Sequence, residues 1–211
     1  MFVSLYCVSM KLIVTTTPTY FVEEDKIITA LFDEGLEILH LRKPDTAPVY
    51  AERLLTLIPE KYHKRIVVHG HFYLKEEYKL KGIHLNQRNP LIPENYSGHI
   101  STSCHSLDEV KEKKSKCDYV FLSPIFDSIS KEDYPSQFTD EQLRAASKSG
   151  IIDKHVIALG GINENNIRKI KDYGFGGAAV LGDLWNKFSP EYDYNYRELI
   201  EHFRKLKRLA D

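Results

Sequence analysis

The sequence predicts a single (β/α)8 barrel, the α/β class of TIM barrel, and three observations point there. Eight short apolar or β-branched runs alternate with longer amphipathic stretches, the rhythm of βα units around a parallel sheet. The turn after the first run, Thr15-Thr16-Thr17-Pro18-Thr19, has no glycine, whereas an open doubly wound sheet needs a glycine-rich phosphate turn there. No internal repeat, low-complexity tract or Pro/Ser-rich linker divides the chain, so one domain is expected over 10–209. A chain of 211 residues with 42% hydrophobic and 28% charged residues can bury a full core, which excludes disordered, collagen-like and coiled-coil classes.

Taken in order, residues 1–9 are apolar but carry no basic segment or cleavage signature, and are read as an N-terminal extension ahead of Met10. The strands expected are Leu12 to Thr16, Leu36 to Leu41, Arg65 to His69, Gly82 to Leu85, His99 to Ser103, Tyr119 to Ser123, His155 to Leu159 and Gly177 to Leu181. Helices are expected over Glu23 to Asp33, Ala47 to Leu57, Leu107 to Lys114, Asp140 to Lys148, Glu164 to Tyr173 and Tyr194 to Leu209. In the last of these Leu199, Phe203, Leu206 and Leu209 recur at helical spacing and make one face apolar. Phe72 to Lys79 has room only for a short helix, and Gln87 to Gly98, interrupted by Pro90 and Pro93, for none.

Charge narrows the partners. Lys and Arg number 29 against 30 Asp and Glu, a net charge of −1, so no overall field draws the protein to nucleic acid or anionic lipid. No apolar run reaches the ~20 residues of a membrane span. Cys7, Cys104 and Cys117 are too few and too irregular for a disulfide framework or a zinc site, which suits the cytoplasm. A homo-oligomer is left open. Any anion site must be local.

Two local anion sites are legible at the strand ends, where barrels of this kind carry their chemistry. Gly160 and Gly161 follow the seventh strand, and Leu181 and Gly182 close the eighth, where main-chain N–H groups can approach a phosphate. Opposite them, His40-Leu41-Arg42-Lys43-Pro44 ends the second strand with two cations suited to a diphosphate. A long loop from Ser123 to about Phe138 carries Ser128, Ser130 and Lys131, more donors for anionic oxygens on a segment long enough to act as a lid. The nine histidines include no i, i+4 pair with a neighbouring carboxylate, so no metal site is expected from them.

Five segments together resemble the thiamine phosphate synthase and TenI-type thiazole tautomerase superfamily, from Lys11 to about Phe188. They are Leu39-His40-Leu41-Arg42-Lys43, Gly82-Ile83-His84-Leu85-Asn86-Gln87, Ser101-Thr102-Ser103-Cys104-His105-Ser106, Asp118-Tyr119-Val120-Phe121 with Ser123-Pro124-Ile125-Phe126, and Ala158-Leu159-Gly160-Gly161-Ile162. The resemblance implies a transferase that joins hydroxymethylpyrimidine diphosphate to thiazole phosphate in thiamine biosynthesis. Pyrophosphate would depart first and leave a pyrimidine carbocation, which the thiazole nitrogen captures. Carried over by position, Arg42, Ser103, Ser128, Ser130 and Lys131 would hold pyrophosphate, with His40 also on the substrate. Gly160, Gly161, Leu181 and Gly182 would hold the thiazole phosphate. Lys43 and His105 complete the expected catalytic set, Lys43 in place of the second basic residue that Pro44 displaces.

The family also implies Mg2+, but Gly70 and Asn89 stand where its two carboxylates are expected. The diphosphate charge should then fall on Arg42, Lys43, Lys131 and a protonated His69 or His105. A TenI-type tautomerase needs no magnesium but does need a base. Its catalytic histidine is Pro124 here, so His105 or His69 would have to serve. A barrel that binds thiazole phosphate without turnover is the remaining alternative.

Overall fold

The computed structural model describes residues 10–127, 136–192 and 195–211. The 1–9 extension and the loop residues Ser128, Ser130 and Lys131 lie outside them. Eight strands, β1 (Lys11–Thr15), β2 (Ile38–Leu41), β3 (Ile66–Val68), β4 (Gly82–Leu85), β5 (His99–Cys104), β6 (Tyr119–Leu122), β7 (Val156–Leu159) and β8 (Gly177–Val180), close into a barrel in chain order. Every adjacent pair is parallel, including β8 with β1 through Leu12 opposite Ala178. Around it run α1 (Glu24–Asp33), α2 (Pro48–Leu57), α3 (Leu74–Glu77), α4 (Leu107–Lys113), α5 (Asp140–Lys148), α6 (Ile167–Asp172), α7 (Gly182–Trp185) and α8 (Arg197–Ala210). The expected (β/α)8 barrel is the observed fold.

Strand alternation sorts the side chains onto two faces. Leu12, Val14, Leu39, Leu41, Ile66, Val68, Val120 and Leu122 join the helices' Ile27, Leu31, Leu55, Leu199, Phe203 and Leu206 in one outer cluster. Ile13, Ile38, Val67, Tyr119, Phe121, Ile157 and Ala179 form a second cluster inside the barrel. Full burial of each large apolar side chain contributes roughly 1.5–3 kcal/mol, so the outer cluster dominates stability by number. The helix α8 face predicted from spacing is buried at Leu199, Phe203 and Leu206, while Leu209 is only half covered and Ala210 takes the last buried position.

Element edges moved where the backbone found a better partner. Strand β2 begins at Ile38, two residues later than expected, because the Gly35 and Leu36 amides bond the Phe32 and Leu31 carbonyls (3.0 and 2.9 Å) and close α1. Gly35 adopts φ 88°, which a side chain would disfavour. Helix α6 begins at Ile167, three residues late, because asparagine side chains organise the preceding turn. The Asn166 side chain accepts from Asn163 N at 2.8 Å and donates to the Gly161 carbonyl at 2.8 Å. Helix α7 was not foreseen. It is a single turn after β8, pinned by Trp185, whose indole N–H donates to the Thr15 carbonyl at 2.8 Å. Gln87 to Gly98 contains no helix, as its prolines required. Among the described residues no helix is long and apolar enough to cross a membrane.

Candidate active site

The carboxyl ends of the strands open into a cavity of about 1000 Å3. Its floor is built from side chains that point inward from β2 to β6. The Nδ1 of His40 lies 2.8 Å from Nε2 of His69, and the Nε2 of His40 lies 2.6 Å from the Tyr119 hydroxyl. His84 bridges Ser101 Oγ through Nδ1 and Ser103 Oγ through Nε2, both at 2.9 Å. The His69 and His84 rings stack at 4.1 Å and 20°, and His40 and His84 both pack against Phe121. Buried polar atoms are thus satisfied within one connected network.

Burial governs their titration. Desolvation, reinforced by the neighbouring imidazoles, holds His40 and His69 well below the ordinary histidine range and His84 down to about 3. All three rings are neutral at physiological pH. Each therefore carries one proton, and the His40–His69 contact shares one N–H between two nitrogens. A protonated His69 was among the expected carriers of charge; its burial against two imidazoles and near Arg42 removes it from that role.

At the rim, Arg42 follows β2 and lines the cavity. Its backbone is fastened to Thr16, whose hydroxyl accepts from Arg42 N at 3.0 Å. Burial and the neighbouring Arg88 lower its affinity for its proton, in that order. Ser103 and His105 line the same cavity. His105 is exposed, and its Nδ1 donates to the Ser123 carbonyl at 3.1 Å.

Two sequence expectations are corrected here. The Lys43 ammonium is not free for a diphosphate. It binds Glu24 at 2.5 Å and the Thr19 carbonyl at 2.7 Å, sits over the Tyr20 ring, and is 3% exposed. His40 does not touch the cavity. It is fully buried behind His69, and its contribution is to hold that ring in place. Ser128, Ser130 and Lys131 lie outside the described residues.

Gly160 and Leu181 line the same cavity as Arg42, with Gly161 and Gly182 one residue beyond each. Gly160 and Gly161 have φ 98° and 64°, and the backbone of Pro124 to Asp127 packs directly on them. A Cβ on Gly160 would lie 2.9 Å from Pro124 Cα. The Ile125 and Phe126 amides bond the Leu159 and Gly160 carbonyls (3.0 and 3.1 Å), tying the segment after β6 to the turn after β7. Among the described residues the amides of Gly161, Gly182 and Asp183 make no hydrogen bond, which leaves them available to a phosphate.

The donor set does not suit magnesium. Gly70 offers no side chain, and Asn89 turns its amide N–H to the His69 carbonyl at 3.1 Å. The carboxylates that line the cavity are both paired, Asp45 with Arg88 and Glu109 with Lys113. Nitrogen ligands from His40, His69 and His84 come within 4.8 Å of one another. Those nitrogens are nevertheless engaged, His40 with His69 and both His84 nitrogens with serine hydroxyls, and Mg2+ prefers oxygen.

Sequence reading missed Tyr119, Ser101 and Arg88. The first two were visible in strand parity: Tyr119 sits two residues before Phe121 on β6, and Ser101 two before Ser103 on β5.

Comparison with known proteins identifies relatives of the chain. The family model described as "Thiamine monophosphate synthase" matches residues 11–184. A crystal structure of thiamine phosphate pyrophosphorylase from Bacteroides thetaiotaomicron is 66% identical with a TM-score of 0.90, over 96% of this chain and 98% of that one. A thiamine-phosphate synthase of Dictyoglomus turgidum is 28% identical over 82% of this chain and 80% of its own length. One from Prochlorococcus marinus subsp. pastoris is 26% identical over 79% of this chain but 46% of its own, so this chain spans about half the length of that relative. The family generally works with Mg2+. On its fold, on the cavity at the strand ends and on a match across most of its length, the chain belongs to the thiamine monophosphate synthase family.

Proposed function

We propose that the protein is a thiamine phosphate synthase, joining hydroxymethylpyrimidine diphosphate to thiazole phosphate with release of pyrophosphate. One observation carries the reading: the guanidinium-bearing end of β2 and the free-amide turns after β7 and β8 face a single cavity large enough for both substrates. The pyrimidine lies on the neutral floor at His69, Ser103 and Phe121, where a ring face meets side chains that can donate and accept. The diphosphate reaches Arg42 at the rim. The C–O bond to the diphosphate breaks with both electrons leaving on the pyrophosphate oxygen, and the thiazole nitrogen lone pair then forms the new C–N bond. The barrier lies in charge developing on the leaving group, so a guanidinium fixed at that end acts where stabilisation counts. Gly160, Gly161, Leu181 and Gly182 hold the thiazole phosphate through main-chain N–H groups, and proximity of the two substrates does the rest.

The Bacteroides structure, named for this activity at 66% identity over almost its whole chain, supports the same assignment. The test is release of pyrophosphate from the two substrates by the purified protein. Turnover with neither substrate omitted is the expected result. Uptake of thiazole phosphate without pyrophosphate release would show a ligand-binding barrel instead.

A further inference from the structure

We propose that the departing diphosphate is gripped without a metal, by a clamp of Arg42 and Arg88 at the cavity rim, with Arg88 taking the place of the divalent ion. This rests on the synthase reading above and names how its leaving group is bound. The two positions from which metal-binding carboxylates are missing are neighbours in space. A Cβ on Gly70 would lie 3.7 Å from Asn89 Nδ2. The gap between them is filled by amide N–H groups, not oxygen ligands: Asn86 Nδ2 and Asn89 Nδ2 both donate to the His69 carbonyl, at 2.8 and 3.1 Å.

The same turn presents Arg88. Asn86 and Asn89 pair backbone to backbone, and Asn86 Oδ1 accepts from the amides of Arg88 and Asn89 at 3.0 and 3.2 Å. A turn bound at both ends and through its middle holds Arg88 over the rim on a fixed base. Arg88 and Arg42 line the same cavity, near enough that, after burial, the Arg88 charge weakens the hold of Arg42 on its proton.

Neither cation is held in a close ion pair. Arg88 meets Asp45 only at 3.4 and 3.5 Å, in a pair that is 59% and 76% exposed. The Arg42 side chain makes no hydrogen bond among the described residues. Two like charges held at one rim, each with spare donors, are relieved by a shared polyanion, and the planar fork of guanidinium suits bidentate phosphate oxygens. The buried imidazoles of the floor are neutral, and the Lys43 ammonium is bound to Glu24, so neither supplies this charge.

The experiment is calorimetric titration of inorganic pyrophosphate into the purified protein, in EDTA and in Mg2+, beside the synthase assay under both conditions. Pyrophosphate should bind in EDTA, and Arg88→Ala should weaken that binding by about tenfold or more, the value of a charge-assisted hydrogen bond. Arg88→Lys should recover only part of the loss, because a point charge replaces a fork. Adding Gly70→Asp with Asn89→Asp to Arg88→Ala should restore binding in Mg2+ alone. Arg88 is exposed, so folding survives these changes, and a melting curve checks it. Wild-type binding that requires Mg2+, or Arg88→Ala binding as wild type does in EDTA, would overturn the clamp. Turnover that needs Mg2+ would overturn the clamp and spare the synthase reading. Metal-free pyrophosphate binding lost in Arg88→Ala, with no turnover, would sustain the clamp and overturn the reading.

Discussion

Acidifying the protein from pH 7.5 to 5.5 should remove about 4 kcal/mol of folding stability, and the magnitude follows from the imidazole floor. An unperturbed histidine titrates near 6.5, so at pH 5.5 each unfolded imidazole gains about 1.4 kcal/mol from protonation, against almost nothing at pH 7.5. In the folded barrel burial depresses His84 to about 3 and holds His40 and His69 well below the usual value, so none of the three collects that gain. The unfolded state binds more protons throughout this window, and stability must therefore fall as pH falls through 6.5. Three rings give about 4 kcal/mol. His99, depressed to about 4 chiefly by burial, adds a further ~1 kcal/mol, which is offset by about as much from the Glu24 carboxyl, raised to about 7 by desolvation and so protonated in the folded state before the unfolded one. Against a total of ~5–15 kcal/mol this is a large share. Urea denaturation at pH 7.5, 6.5 and 5.5 measures it, and His69→Asn should remove about a third of the slope due to the floor. Stability that stays flat across that range, or a His84 ring titrating near 6.5 by NMR, would refute the reasoning.

Two further outcomes follow from buried geometry. Glu24, raised to about 7 by desolvation even beside Lys43, should stay protonated in Lys43→Met, so that variant should lose stability as pH rises above 7 in denaturant titration, while Lys43→Met with Glu24→Gln removes this pH dependence. Pyrophosphate affinity should be nearly unchanged in the double variant, and a large loss would restore Lys43 to the binding site. Gly161→Ala must hold φ near 64° against the Asp127 carbonyl, so it should lose more than about 1 kcal/mol of stability and weaken thiazole phosphate binding.

The fold was legible because its signal is periodic. Runs such as Val120 to Leu122 and Val156 to Leu159 can only be strands buried on both faces, and the prolines at 90 and 93 mark the one connection without a helix. The site was legible in outline, since Arg42, Ser103, Gly160 and Leu181 do share a cavity. What sequence could not show was partnership. Nothing in His40-Leu41-Arg42-Lys43 tells which cation faces the cavity. The answer depends on Glu24, nineteen residues away, which captures Lys43 and leaves Arg42 free. Likewise His40, His69 and His84 are separate marks in the sequence, and only barrel closure stacks two of them and buries the third behind.

The interior of this barrel is divided, and the division explains where charge can be used. Ile13, Ile157 and Ala179 fill one side with apolar bulk, as such barrels ordinarily do, while β2 to β5 contribute imidazoles and hydroxyls. The histidines 40, 69 and 84 survive there because each is bonded to a neighbouring ring or hydroxyl, and the rings survive only neutral, since an imidazolium among them would be buried without a counter-ion. A neutral floor can bind a heterocycle by hydrogen bonds but cannot take the charge of a leaving diphosphate. Positive charge must then come from the rim, where Arg42 and Arg88 keep enough water to stay ionised and enough shelter to act strongly. Separating ring recognition at the floor from anion binding at the rim also fixes the direction of the substrate. The bond to be broken lies between the two layers, and the free amides of the β7 and β8 turns stand at the same cavity to bring in the acceptor.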